Sequence, residues 1–151
     1  MHHLLTPFTV LFGEEPVPPP VESVSGLGAA EGWGRWSTDS RVSIRFARDL
    51  PPAFEAQITC AVTSGNVGRA ISVVAGDCCR KFVCTRTLRQ GVEVSRMHFF
   101  VEPAARTLEI MIPHLEPGRV VDPRTLGIAI AALAIIPGQL AALRLKAEAD
   151  G

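Results

Sequence analysis

Apolar and polar side chains alternate along much of the chain, a pattern typical of half-buried β-strands. One alternation runs from Val42 to Phe46, and the turn-forming segment Asp49-Leu50-Pro51-Pro52 separates it from the next. The clearest alternation places Phe54, Ala56, Ile58, Cys60 and Val62 on one face and Glu55, Gln57, Thr59 and Ala61 on the other. These two segments predict adjacent elements of an antiparallel β-structure.

Further segments have the composition of strands, and short runs of glycine, proline, asparagine or aspartate separate them. These segments are Thr6–Phe12, Arg69–Ala75, Lys81–Thr87, Val92–Val101, Thr107–Ile112 and Gly127–Ile136. About eight strands at intervals of roughly 10 to 15 residues, without helical apolar spacing between them, predict an all-β fold. We expect a two-sheet antiparallel β-sandwich with a jelly-roll-like topology. The last strand is apolar on both faces, which predicts a central position or one beneath the N-terminal segment.

The proline cluster between Glu14 and Pro20 cannot join a helix or a central strand ladder, so it predicts an extended arm. Residues 1–25 are therefore expected to form an N-terminal strand and a proline-rich linker. Residues 26–138 would form the sandwich domain. Residues 139–151 would form a C-terminal tail, either a short helix or a strand with a frayed end.

Length and charge narrow the functional classes. A chain of 151 residues can bury a substantial core as one domain, and its formal net charge of zero offers no general attraction to nucleic acid. The longest apolar run, Leu126–Ile136, is shorter than the roughly 20 residues that span a bilayer. The N-terminus has no basic residue before a continuous apolar core, so we expect no secretory signal and a cytoplasmic location.

The four cysteines are Cys60, Cys78, Cys79 and Cys84, and their spacing lacks the paired gaps of a zinc ribbon. Cys60 lies on an alternating apolar face, which predicts a small buried side chain. The others are expected to be structural thiols, with a disulfide between Cys78 or Cys79 and a neighbour as the alternative.

The segment Gly32-Trp33-Gly34-Arg35-Trp36-Ser37-Thr38-Asp39 holds both tryptophans of a chain without tyrosine. Exposed indole faces bind sugar rings, because C–H groups of the sugar pack on the π-surface while nearby polar groups bond its hydroxyls. In that interpretation Ser37, Thr38 and Asp39 would supply the polar contacts. The alternative is that both indoles seal the end of the sandwich.

Three motifs together resemble a known family. They are the Trp-Gly-x-Trp-Ser motif at Trp33–Ser37, the strand end Ile110-Met111-Ile112-Pro113, and the Asp-x-Arg-x-Leu-Gly motif at Asp122–Gly127. Over Gly32–Ile136 the chain resembles a bacterial jelly-roll-like accessory module associated with polysaccharide glycosyltransferases and phosphoglycerol transferases. The chain departs from that pattern at Pro113–Gly118, where relatives carry a Ser-Pro pair and a longer spacer, and at Ala75-Gly76-Asp77, where relatives often have an Asn-Gly turn.

The resemblance implies a non-catalytic module of bacterial surface-polysaccharide biosynthesis that faces a carbohydrate or a glycosyltransferase partner. The candidate ligand-binding residues are Trp33, Trp36, Ser37, Asp39, Asp122 and Arg124. The residues themselves also argue against an enzyme, because the carboxylates are scattered without the pairing that a glycosidase needs. We expect no cofactor, and we expect no metal site because His98, His114 and Glu109 lack the His-x-Asp/Glu core of a jelly-roll oxygenase.

Two alternatives concern other surfaces. The arginines Arg41, Arg45 and Arg48 would either bind an anionic glycan or form a solvated face paired with Glu55 and Gln57. The second function hypothesis is a structural subunit that forms homo-oligomers through its sheet edges. In that hypothesis the Thr6–Phe12 arm pairs with the sheet edge of a neighbouring copy.

Overall fold

The computed structural model describes Leu4, residues 6–118 and residues 123–138. The described residues form ten strands and two short 3-10 turns, at Ser64–Asn66 and Leu88–Gln90. The strands are β1 (Phe8–Leu11), β2 (Val21–Ser25), β3 (Arg35–Trp36), β4 (Arg41–Phe46), β5 (Ala53–Val62), β6 (Ala70–Ala75), β7 (Cys78–Val83), β8 (Glu93–Phe100), β9 (Thr107–Met111) and β10 (Ile128–Pro137). No helix within these ranges has the length and apolar character required to span a membrane.

The strands form two antiparallel sheets that pack face to face. The first sheet has the order β1-β10-β5-β8, with β3 also paired to β10, and the second has the order β2-β4-β9-β6-β7. Every strand pair is antiparallel. The predicted two-sheet, jelly-roll-like β-sandwich is therefore confirmed.

The core lies between the inner faces of the two sheets. The alternation of β5 is confirmed, because Phe54, Ala56, Ile58, Cys60 and Val62 are all buried. The Phe54 ring stacks on that of its cross-strand partner Phe99, with ring centroids 5.1 Å apart. As predicted, β10 is a central strand, since it is hydrogen-bonded to β1 along one edge and to β5 along the other.

The N-terminal region contributes one strand to each sheet, because β1 pairs with β10 and β2 pairs with β4. The proline segment connects them. The expectation that the Thr6–Phe12 arm adds to a neighbour's sheet is not what the structure shows. The arm pairs within its own chain, from Phe8 opposite Ile135 to Leu11 opposite Ala132.

Several local predictions need correction. The strand expected at Lys81–Thr87 lies at Cys78–Val83, and β2 and β3 were not predicted. The pairing of the arginine stripe with Glu55 and Gln57 is wrong, because β4 and β5 belong to different sheets. Arg41 instead faces Glu109 on β9, and Arg45 faces Glu22 on β2. The C-terminal tail 139–151 lies outside the described residues.

Candidate functional site

The two tryptophans lie in a tight turn that leads onto the first sheet. The Trp33 amide donates to the Glu31 carbonyl, and the Glu31 amide donates to the Gly34 carbonyl, both at 2.9 Å. The next two residues form β3, in which Arg35 lies opposite Ile130 and Trp36 opposite Ala129. A Cβ at Gly34 would overlap the carbonyl oxygen of Ile130, so only glycine permits this close approach to β10.

The indoles contact each other and remain partly open to solvent. Trp33 and Trp36 are both half-buried, and their ring centroids lie 5.9 Å apart at an interplanar angle of 82°. This edge-to-face geometry is a favourable arrangement for aromatic pairs. Neither tryptophan residue is fully buried, so part of the surface of this turn is accessible to a ligand.

Arg35, which lies between the two tryptophans in the sequence, is buried and holds this turn in place through hydrogen bonds. Its Nε donates to the Phe12 carbonyl at 3.1 Å, its Nη1 to the Gly28 carbonyl at 3.3 Å and its Nη2 to the Glu14 carbonyl at 2.8 Å. Nη2 also lies 3.2 Å from the Glu15 carboxylate. The guanidinium thereby ties the tryptophan turn to the start of the proline segment. Sequence reasoning missed this role, because its carbonyl partners lie up to 23 positions away in the chain.

Ser37 has a structural role. Its side chain is fully buried, and its Oγ accepts a hydrogen bond of 2.8 Å from the Ile128 amide. A Cβ at Gly127 would lie 2.8 Å from that same Oγ, so the glycine of the second motif makes room for the serine of the first. The two sequence motifs are therefore packed together, and the serine hydroxyl faces the protein.

Arg124, from the second motif, contacts the turn that carries Trp33. Its Nη1 donates to Glu31 Oε2 at 2.9 Å, and Glu31 belongs to the turn that carries Trp33. Both side chains are partly exposed, with 41% of Arg124 and 33% of Glu31 accessible. Glu31 was missed from sequence, because its connection to Arg124 spans 93 positions.

The other two predicted residues are placed differently. Asp39 is exposed in the turn before β4, where its Oδ1 accepts hydrogen bonds from Ser40 Oγ at 3.3 Å and the Arg41 amide at 3.4 Å. Asp122 lies outside the described residues. We define the tryptophan corner as Glu31, Trp33, Trp36 and Arg124.

The histidines considered for metal binding are dispersed. His98 lies on β8 opposite Glu55 of β5, with Nε2 3.9 Å from Oε1. His114 bonds through its backbone to the Asn66 side chain, and Glu109 pairs with Arg41 on the second sheet. Among the residues that the structure describes, no cluster of three or more His, Cys, Asp or Glu side chains could hold a metal ion.

A separate groove of about 370 Å³ lies where β5 begins and where β8 and β10 end. The Phe100 ring, 62% exposed, stands at this groove with the His98 and Glu55 pair beside it. The remaining lining is mostly apolar: Ala53, Phe54, Phe99, Ile136, Pro137 and Gly138. The groove shares no residue with the tryptophan corner.

The fold and the corner together define a β-sandwich domain with a tryptophan-bearing turn at the end of one sheet. The chain belongs to the family described as Domain of unknown function (DUF7024), whose model matches residues 7–137.

Curated relatives contain a similar sequence that makes up a small part of their length. Phosphoglycerol transferase I of Citrobacter koseri is 30% identical over 134 residues, which cover 83% of this chain and 17% of that protein. Phosphoglycerol transferase I of Escherichia coli O139:H28 is 29% identical over 134 residues, with the same coverage. The predicted relationship to phosphoglycerol transferases is confirmed as a sequence similarity to one region of those proteins. The association with glycosyltransferases stays a prediction.

A solved structure supports the fold. A ruminal GH26 endo-β-1,4-mannanase contains a region similar to 92% of this chain, with a TM-score of 0.50 and 10% sequence identity, and the match covers 27% of that chain. At this identity the likeness concerns the fold alone.

Proposed function

We propose that this chain is a non-catalytic, carbohydrate-binding accessory domain of bacterial surface-polysaccharide biosynthesis. The observation that carries the proposal is the tryptophan corner, in which two half-buried indoles meet edge to face in a turn whose Glu31 pairs with the partly exposed Arg124. The relatives named phosphoglycerol transferase I support it, since the region similar to this chain makes up 17% of their length. A domain of that relative size fits a role in holding a substrate or partner for a separate catalytic domain.

The chemistry of the corner favours a saccharide that carries an anionic group. Sugar C–H groups would pack on the open part of the Trp33 or Trp36 ring. The Arg124 guanidinium has the planar geometry that binds phosphate or carboxylate oxygens in a bidentate manner. An anionic ligand would compete with Glu31 for the Arg124 guanidinium. The displaced Glu31 carboxylate is partly exposed, so water can solvate its charge.

The test is a glycan panel read by intrinsic tryptophan fluorescence and by calorimetry. The panel compares neutral oligosaccharides with the same oligosaccharides bearing phosphoglycerol groups. We expect the emission maximum to shift and the phosphoglycerol-bearing ligands to bind more tightly. Trp33→Ala should weaken binding about tenfold, since loss of a stacking contact is worth roughly 1 kcal/mol or more.

Phe100→Ala is the matched control, because it removes an exposed aromatic ring from the groove and leaves the tryptophan corner intact. Its affinity for glycans should equal that of the original protein. Arg124→Gln should reduce binding of the phosphoglycerol-bearing ligands and leave binding of the neutral ones unchanged. An emission maximum that no glycan moves, together with unfolding of Trp33→Ala, would assign both indoles to packing and contradict the proposal.

A further inference from the structure

The groove of about 370 Å³ at the end of the first sheet follows from the sizes of the side chains around it. Phe54 and Phe99 are buried in the core, so their neighbours Ala53 and Phe100 point to the outer face of the sheet, where they lie opposite each other. On the other side of Ala53 lies Gly138, whose amide donates to the Ala53 carbonyl at 3.0 Å. The groove therefore lies above two residues with little or no side chain and beside one large exposed ring.

The next row of residues across the sheet brings a carboxylate to this groove. Glu55 lies opposite His98 on β8 and opposite Ile136 on β10, so these three side chains share the outer face. Glu55 Oε2 accepts a hydrogen bond of 2.9 Å from the Gln57 amide group. Its Oε1 lies 3.9 Å from His98 Nε2, which is too far for a hydrogen bond. Within the part of the chain that the structure describes, no donor bonds this second oxygen.

The charge of the groove favours a cation. Glu55 supplies a carboxylate, and none of the described residues that line the groove is an arginine or a lysine. Among these described residues, His98 is the one ion-pair partner of Glu55. The Glu55 side chain is 23% exposed, so water and salt screen its charge less than that of a fully exposed carboxylate. A half-buried carboxylate between apolar walls attracts a positively charged ligand.

The kind of cation follows from what the walls can bond. A primary ammonium group carries three N–H donors, each of which needs an acceptor. The groove offers the Glu55 carboxylate, whereas its other walls are mostly apolar. A quaternary ammonium group has no N–H to satisfy, and its methyl groups pack on apolar walls and on the face of an aromatic ring. The Phe100 ring, 62% exposed, provides that aromatic surface.

We propose that this groove binds a small molecule that carries a trimethylammonium group, as choline does. The Glu55 carboxylate offsets the positive charge, while Phe100 and Ile136 contact the methyl groups. The groove volume is at the lower end of the roughly 300 to 1,000 Å³ found for small-molecule sites, which suits a ligand of this size. The groove shares no residue with the tryptophan corner, so this inference is independent of the proposed function.

The test is a titration of the isotopically labelled protein with choline chloride at constant ionic strength, followed by NMR. We expect saturable shifts of the amide signals of Ala53, Phe100 and Gly138, with a dissociation constant of about 1 mM or lower. The two indole signals, from Trp33 and Trp36, should stay in place. Shifts of the indole signals without shifts of the groove amides would contradict the proposal.

Two related compounds test the choice of ligand on the unaltered protein. The neutral isostere of choline, in which carbon replaces the nitrogen, has the same shape without the charge. Ethanolamine carries the charge on a primary ammonium group. Both should bind at least about fivefold more weakly than choline. Equal binding of choline and its neutral isostere, or tighter binding of ethanolamine, would overturn the proposal. Sedimentation of the protein with phosphatidylcholine vesicles, without binding of choline, would assign this surface to a lipid bilayer and would overturn it too.

Variants then test the two side chains. Glu55→Gln removes the charge at nearly constant size and should weaken choline binding about tenfold or more. Phe100→Leu keeps an apolar side chain without the aromatic ring and should weaken it roughly twofold to fivefold. Both side chains lie on the outer face, so the melting temperatures should stay the same. Glu22→Gln is the matched control, because it makes the same charge change at an exposed position of the second sheet and should leave the affinity unchanged. Equal affinities of Glu55→Gln and Glu22→Gln would show that the groove carboxylate does not hold the cation.

Discussion

At the scale of single residues, Arg35 anchors the turn that carries both tryptophans to the start of the proline segment. It is a buried cation whose three nitrogen atoms reach three backbone carbonyls and one carboxylate. Removing it would leave those carbonyls without their donors, and an unsatisfied buried polar group is costly. We expect Arg35→Ala to lower the free energy of unfolding by about 2 to 4 kcal/mol, measured by urea denaturation.

Arg45→Ala is the matched control for this prediction. Arg45 makes one exposed ion pair, with Glu22 at 3.0 Å, and such pairs contribute less than about 1 kcal/mol. The tryptophan emission of Arg35→Ala should also move to longer wavelength, since the turn loses its anchor to the proline segment. Equal stability of the two variants would show that the buried guanidinium is not what holds the corner.

Sequence reasoning identified part of this site and could not identify the rest. The indoles and Arg124 were found because their residue types are rare or chemically specific in that motif. Glu31 and Arg35 were not, since their roles depend on partners brought near by the pairing of β3 with β10. Ser37 was interpreted as a ligand contact, although its hydroxyl bonds the Ile128 amide. The sequence shows that a serine hydroxyl can form hydrogen bonds, but it does not show whether the hydroxyl points to solvent or into the protein.

At the scale of elements, the position of the corner depends on the contact between β3 and β10. Gly34 permits it, because any larger residue would place its Cβ on the Ile130 carbonyl oxygen. We expect Gly34→Ala to push β3 away from β10 and destabilise the fold by roughly 1 to 3 kcal/mol, as overpacking does. The change should be followed by thermal unfolding and by tryptophan emission.

Gly28→Ala is the control for this prediction, because its new Cβ would make an ordinary contact of 3.4 Å with Thr38 Cγ2. It should cost less than about 1 kcal/mol and leave the emission unchanged. A Gly34→Ala variant as stable as Gly28→Ala would mean that the turn adjusts without disturbing the strand pairing.

The strands that could be predicted are those whose two faces differ. β5 alternates between core and outer face from Ala53 to Cys60, and β10 is apolar enough to mark a central strand. β2 could not be predicted, since its five residues have no buried side chain and follow a proline cluster. The arginine stripe shows a second limit, because alternation reveals the face of a strand but not its neighbour. Arg41 and Arg45 were found on one face, yet the acids that they meet belong to β9 and β2.

At the scale of the whole molecule, three of the exposed large apolar side chains lie on the edge strands of the first sheet. Leu11 of β1 is 50% exposed, while Val94 and Phe100 of β8 are 46% and 62% exposed. The edge at β8 is partly covered, because Arg80 of β7 donates its Nε to the His98 carbonyl at 2.8 Å. The edge at β1 is four residues long. Short or covered edges disfavour pairing between copies.

We therefore expect a monomer of 16.2 kDa at micromolar concentration, measured by light scattering after size exclusion. Because the pI is about 6.9, non-specific association at neutral pH must be separated from edge pairing by repeating the measurement near pH 8.5. A dimer that persists there would favour the assembly hypothesis, and Leu11→Lys or Phe100→Lys would then identify the edge involved. Deletion of residues 1–20 is not a suitable test, because it removes β1 together with the core residues Val10 and Phe12. Loss of the dimer in such a deletion would report unfolding, whereas a single lysine on an exposed edge position changes the contact between copies and leaves the core intact.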